Sequence, residues 1–185
     1  TIALAIRGQG TPDIATSRFN SAVAALNSVD GSVKKIIAFS AYADLSTNGA
    51  AIPSSIAYVA YDTEAGITPS LELADLNSSV NNFATSVHSL GKSMVWTPQY
   101  LMFNNSSDLS ATLSQVEIVV YQSQKRLKDT TSGYNYTLDM KERFNAAKTA
   151  KPSVLFMLQN WVGTDGATPS EIITAFNDLL GFFDI

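Results

Sequence analysis

Cysteine is absent from the chain. Disulfides, zinc-thiolate sites and thiol nucleophiles are therefore excluded. Histidine is nearly absent too: His88 stands alone near the end of an expected helix, flanking its apolar stripe. A Ser-His-Asp triad would have to recruit that surface residue, and a transition-metal centre would be almost all carboxylate. Carboxylates suit calcium or magnesium, yet Asp129 and Asp165-Gly166 are scattered loop acids that form no calcium loop, so neither metal nor cofactor is expected. Basic clusters are equally scarce. With 12 Lys and Arg against 16 Asp and Glu, the net charge is −4, and Lys125-Arg126 is the longest basic run. Nucleic acid is excluded as a partner on that balance. A phosphate loop fares no better, since Gly8-Gln9-Gly10 is too sparse and Arg7 is the one nearby base. No apolar run approaches the roughly 18 residues of a membrane span.

What is present fits a single domain over residues 1–185, with 45% hydrophobic residues to build a core and too little charge for disorder. Thr1 in place of methionine reads as a processed or trimmed N-terminus. Glycosylation sequons occur at Asn77, Asn104, Asn105 and Asn135 in a chain rich in Ser, Thr, Asn and Ala. A secreted, extracellular protein is the expectation.

Short runs rich in Val, Ile and aromatics recur at 2–6, 33–42, 56–61, 93–96, 116–121, 154–158 and 182–185. Most are continuous rather than alternating, as in strands covered on both faces of a parallel sheet. Helical periodicity separates several of them. Leu73, Leu76, Val80, Phe83, Val87 and Leu90 recur at three and four before Gly91, and Phe19, Val23 and Leu26 do so after Pro12. Further helices are expected from Pro169 through Leu180 and over 139–150. The link 43–55 has no helical period and carries Asn48-Gly49 and Pro53, so it reads as a loop or single turn. Gly10-Thr11-Pro12, Gly66-Ile67-Thr68-Pro69 and Gly166-Ala167-Thr168-Pro169 repeat one device: threonine as N-cap and proline at the first helical position. In the last, Glu171 completes a capping box.

Strands alternating with helices leave a closed (β/α) barrel or an open doubly wound sheet. The expected fold is α/β: a TIM-like (β/α) barrel, short or incomplete, with seven recognisable strands. Polar residues fall at the C-terminal strand ends, where barrels carry their chemistry: Arg7, Tyr42, Asp62 and Glu64, Trp96 and Gln99, Gln122 and Gln124, Gln159 and Trp161. Asp62 and Glu64 are two apart, so a strand would project both to one face, with Tyr61 and Thr63 turned the other way. Two carboxyls held close repel, which keeps a proton on one of them, and glycosidases use such a protonated acid beside an anion. The alternative is a pair of acids capping backbone amides before the next helix. Aromatic faces and neutral amides suit sugars, so Trp96, Trp161, Gln122, Gln124 and Gln159 are candidate carbohydrate contacts. Otherwise the tryptophans plug the sheet end and the glutamines bond strand termini.

Tyr61-Asp62-Thr63-Glu64, then Thr68-Pro69, Val95-Trp96-Thr97-Pro98 and a strand ending Gln122-Ser123-Gln124, resembles a poorly characterised group of secreted microbial barrel proteins over about residues 56–185. More distantly, Asp62-X-Glu64 resembles the end of the chitinase-like family 18 glycoside hydrolase signature, Asp-X-X-Asp-X-Asp-X-Glu. That resemblance implies Glu64 as proton donor, Asp62 as its partner and Tyr121 as the tyrosine two strands later. The two earlier aspartates of the signature fall on Ala57 and Ala60 here. The expected function is a glycoside-hydrolase-like extracellular protein acting on or binding a polysaccharide or glycan. The alternative is a non-catalytic structural or glycan-binding subunit of a homo-oligomer or surface assembly.

Overall fold

Residues 2–6, 12–104, 106–124, 126–160 and 167–182 are described in the computed structural model. Arg7, the segment Gly8-Gln9-Gly10-Thr11, Asn105, Lys125, Trp161, Asp165-Gly166 and residues 183–185 lie outside them.

The chain alternates strand and helix as its apolar periodicity predicts. Strand β1 is Ile2–Ile6 and helix α1 is Pro12–Asn27; β2 is Lys35–Phe39 and α2 Tyr42–Asn48, followed by a 3-10 turn at Gly49–Ala51. Then come β3 (Tyr58–Thr63), α3 (Ser70–Ala74), α4 (Leu76–Ser89), β4 (Ser93–Pro98), α5 (Tyr100–Asn104), α6 (Leu109–Leu113), β5 (Ile118–Gln122), α7 (Tyr136–Ala150), β6 (Leu155–Gln159) and α8 (Pro169–Leu179). The strands form one all-parallel sheet in the order β1-β2-β3-β4-β5-β6.

Three expectations are corrected. The described sheet has six strands rather than the expected seven, and β1 and β6 do not pair with each other among the described residues. Of the expected last strand only Phe182 is described: it sits in a turn after Gly181, with its ring against Phe144 and beneath Lys141, in the helical layer. The link after β2 is also not a loop. Its first half is α2, whose N-terminal amide at Tyr42 is satisfied by both carboxylate oxygens of Glu72, thirty residues onward. Finally, the helix after Thr68-Pro69 is split at Asp75, whose carboxylate accepts the Ser78 amide and restarts the helix as α4. Gly91 ends α4 as expected, with φ of 68°.

Strand pleating sorts side chains between two faces. Ile37, Phe39, Val59, Tyr61, Met94, Trp96, Val119, Tyr121 and Phe156 join the helices in the main core. There Phe103 of α5 touches the rings of Trp96, Tyr121 and Phe156. The opposite face carries Ile36, Ala38, Ala60, Val95 and Ile118, with Tyr58, Val120 and Met157 packed beside them. Side chains from β2 through β6 border a single hollow on this second face, which requires the sheet to curl around it. No described helix is long and apolar enough to cross a membrane.

Candidate functional site

The register arranges the inner face in rows. Ala38, Ala60 and Val95 are in register; Asp62 pairs with Thr97 two residues further along, and Gln122 with Gln159 at the strand ends. Because successive same-face residues are about 7 Å apart along a strand, the rows descend from a polar rim to an aliphatic floor. The hollow between them has a volume of about 510 Å³.

Asp62 and Glu64 both line it. Asp62 is only 7% exposed, yet its carboxylate is held as an acceptor: the Gln122 amide donates to Oδ1 at 2.7 Å and the Thr97 hydroxyl at 3.3 Å. The same Gln122 amide also donates to the Thr97 carbonyl at 2.9 Å, which fixes its plane. Glu64 sits just past the strand end, half-buried, and none of the hydrogen bonds among described residues occupies its carboxylate. Its backbone is pinned instead. The Thr68 hydroxyl accepts the Glu64 amide at 3.0 Å and donates to the Asp62 carbonyl at 3.1 Å, while the Gln99 side chain accepts from Ala65. Thr68 thus braces the turn carrying the acids; it does not cap α3, whose preceding position is Pro69. Gly66 closes that turn with φ of 79°.

The pair therefore projects as its spacing implies, with Tyr61 and Thr63 on the other face. Thr63 accepts the Trp96 indole N–H at 3.0 Å, and Tyr61 stacks on Phe83. Gln124 and Gln159 reach the hollow, joined by Asn160. Other candidates are not brought to it. Trp96 and Tyr121 are 0% exposed in the helix-covered core, and Tyr121's hydroxyl is buried with no partner among the described residues, its ionisation pushed up by burial. Tyr42 lies on α2 with its hydroxyl 3.0 Å from Ser86. Gln99 serves the turn. Asn135 and Asn104 are exposed, whereas the Asn77 side chain is engaged by Thr112 and Ser106. His88 is half-exposed and paired with Glu117 at 3.1 Å.

Sequence reasoning missed Thr97 and the floor residues Ala38 and Ala60. Alanines in continuous apolar strands give no signal of a hollow until the register pairs them. It also missed Glu72, which accepts the Tyr61 hydroxyl at 2.5 Å on the helical side. That bond and burial raise the Tyr61 phenol above its ordinary range, burial being the larger cause. Among described residues no group of three or more acidic or histidine side chains is placed to hold a metal ion. No protein-family model matches the chain, and no curated protein is significantly similar to it.

Proposed function

We propose that the hollow is a carbohydrate-directed site with hydrolytic chemistry, Glu64 acting as general acid and Asp62 as its anionic partner. The supporting observation is that both carboxyls line one hollow among neutral amides, with Asp62 already bonded by Gln122 and Thr97. Held in orientation by the Gln122 amide, Asp62 is suited to face developing positive charge on a sugar ring. Glu64, its carboxylate open to the hollow, is suited to pass a proton to the leaving oxygen as the C–O bond breaks, while water gives its hydroxyl to the ring carbon and its remaining proton back to the Glu64 carboxylate. Tyr121 is outside this reading because it faces the core. Secretion, and glycans on Asn104 and Asn135, accord with an extracellular substrate and are part of the same proposal.

A panel of chromogenic glycosides and polysaccharides, assayed with wild type beside Glu64→Gln, tests it. Loss of about 10²-fold or more in turnover is expected for the variant. Absence of turnover by either protein, or equal turnover by both, would count against the proposal.

A second reading, a building block of a surface assembly, is favoured by one feature. Ile173, Phe176 and Leu180 are 61%, 53% and 62% exposed along one side of α8 and its end.

A further inference from the structure

The hollow is segregated along its depth. At the rim stand Asp62, Glu64 and the amides; two residues below Asp62 in β3 is Ala60, in register with Ala38 and Val95, and Ile36 lies below Ala38. The lower wall is therefore aliphatic, extended by Val120 and Met157, with no charged or aromatic side chain among its described lining. A volume of about 510 Å³ lies within the range of small-molecule sites. Larger residues at 38 and 60 would fill this space, as the inner layers of parallel sheets are ordinarily filled. Among the described lining, neutral sugar hydroxyls find no partner in this lower part, so a glycan alone leaves it unused.

We propose that the lower part of the hollow is a subsite for an apolar group, alkyl or aryl, attached to the substrate beneath the carboxylates, with Ala38 and Ala60 setting its depth. The substrate class is then a glycoside of an apolar alcohol rather than a chain of sugars alone. This rests on the carbohydrate-directed reading of the rim, but the aliphatic subsite can be probed without it.

Straight-chain alcohols from butanol to octanol are titrated into the wild-type protein, followed through the methyl signals of Met157, Val95 and Val120. Affinity should tighten about fourfold per added methylene until the space is full, then level off. Ala38→Val and Ala60→Val should each bring that levelling one or two methylenes earlier, with folding checked by circular dichroism. Where a valine variant does not fold, the wild-type methyl map and chain-length series decide. Affinity independent of chain length, or signals moving on Ile173 and Leu180 of α8 in place of the hollow, would overturn the proposal, as would folded valine variants indistinguishable from wild type. The alcohols contain no glycosidic bond. Alcohol binding without turnover of any glycoside would thus remove the hydrolase reading and keep the subsite, whereas turnover equal for methyl and hexyl glycosides, with no alcohol binding, would do the reverse.

Discussion

Gln122 and Tyr121 show how much one residue of register decides. Being consecutive in an extended strand, they cannot share a face. Gln122 enters the inner face and holds Asp62, and Tyr121 is sealed among Phe103 and Phe156. The acid pair was legible from the sequence because its period-two spacing fixes a common face whatever the neighbours do. Trp96 was not, since β4 is apolar on both sides and nothing in Met-Val-Trp marks which face meets the helices. Gln122→Leu removes donors from a buried carboxylate and from the Thr97 carbonyl, and should cost about 1–3 kcal/mol in urea unfolding. An unchanged midpoint would mean that the amide does not anchor Asp62. Asp44 carries the opposite kind of information. One of its carboxylate oxygens is buried without a partner among the described residues, and burial, with the nearby Glu72 second, raises its pKa above 3.8 despite its place in the first turn of α2. The folded state then holds that proton more tightly than the unfolded chain, so stability is gained as pH falls through the raised value. Asp44→Asn should melt higher than wild type at pH 7, and the two melting curves should converge toward about pH 4, near the unfolded value of 3.8.

Among the elements, α8 is the one whose start was read most completely. Thr168 accepts the Glu171 amide at 3.3 Å and Glu171 accepts the Thr168 amide at 2.7 Å, so the capping box written in the sequence forms as such. The salt link to Lys128, first, and then the Thr168 bonds hold the Glu171 carboxyl down at about 2. A depressed carboxylate contributes stability above its unfolded value, lost as pH falls from about 4.5 through about 2. Melting curves of wild type and Glu171→Gln should accordingly separate at pH 7 and draw together near pH 2, and added salt should narrow the gap. Thr168→Ala removes the cap and should lower the melting temperature by about 2–4 °C, for a loss near 1 kcal/mol. Helix α2 was illegible for a physical reason: its N-terminal partner is Glu72, distant in the chain, and Asn48-Gly49 carries the ordinary signature of a turn. At the opposite ends of the strands, lysines do similar work out of sight of any motif. Lys151 donates to the carbonyls of Val116 and Ser114, Lys148 to Val154 and Lys92 to Pro53, tying helix ends to the segments that lead into β5, β6 and β3.

For the whole molecule, continuous apolar strands separated by helical periods were enough to specify a parallel sheet with one helix-covered face. The strand count was not, because Phe182 is as apolar as a strand residue and only its packing on Phe144 assigns it to the helical layer. The outer side of α8 supplies a test at this scale. If its apolar stripe joins copies of the chain, light scattering of wild type should give a mass above the 19.8 kDa of one chain, and the Ile173→Ser, Phe176→Ser double variant should return it to that value. A wild-type monomer at high concentration would leave the stripe without a role in self-association.

The simple strand order carries a kinetic consequence. Since every described strand after β1 lies beside its predecessor, each such βα segment leaving the ribosome finds its docking edge already synthesised and never waits for a later part of the chain. At about 5–20 residues per second, a unit of this kind emerges every few seconds. That interval far exceeds the time needed for helix formation and collapse, so the sheet is suited to growing one strand at a time in chain order as translation proceeds.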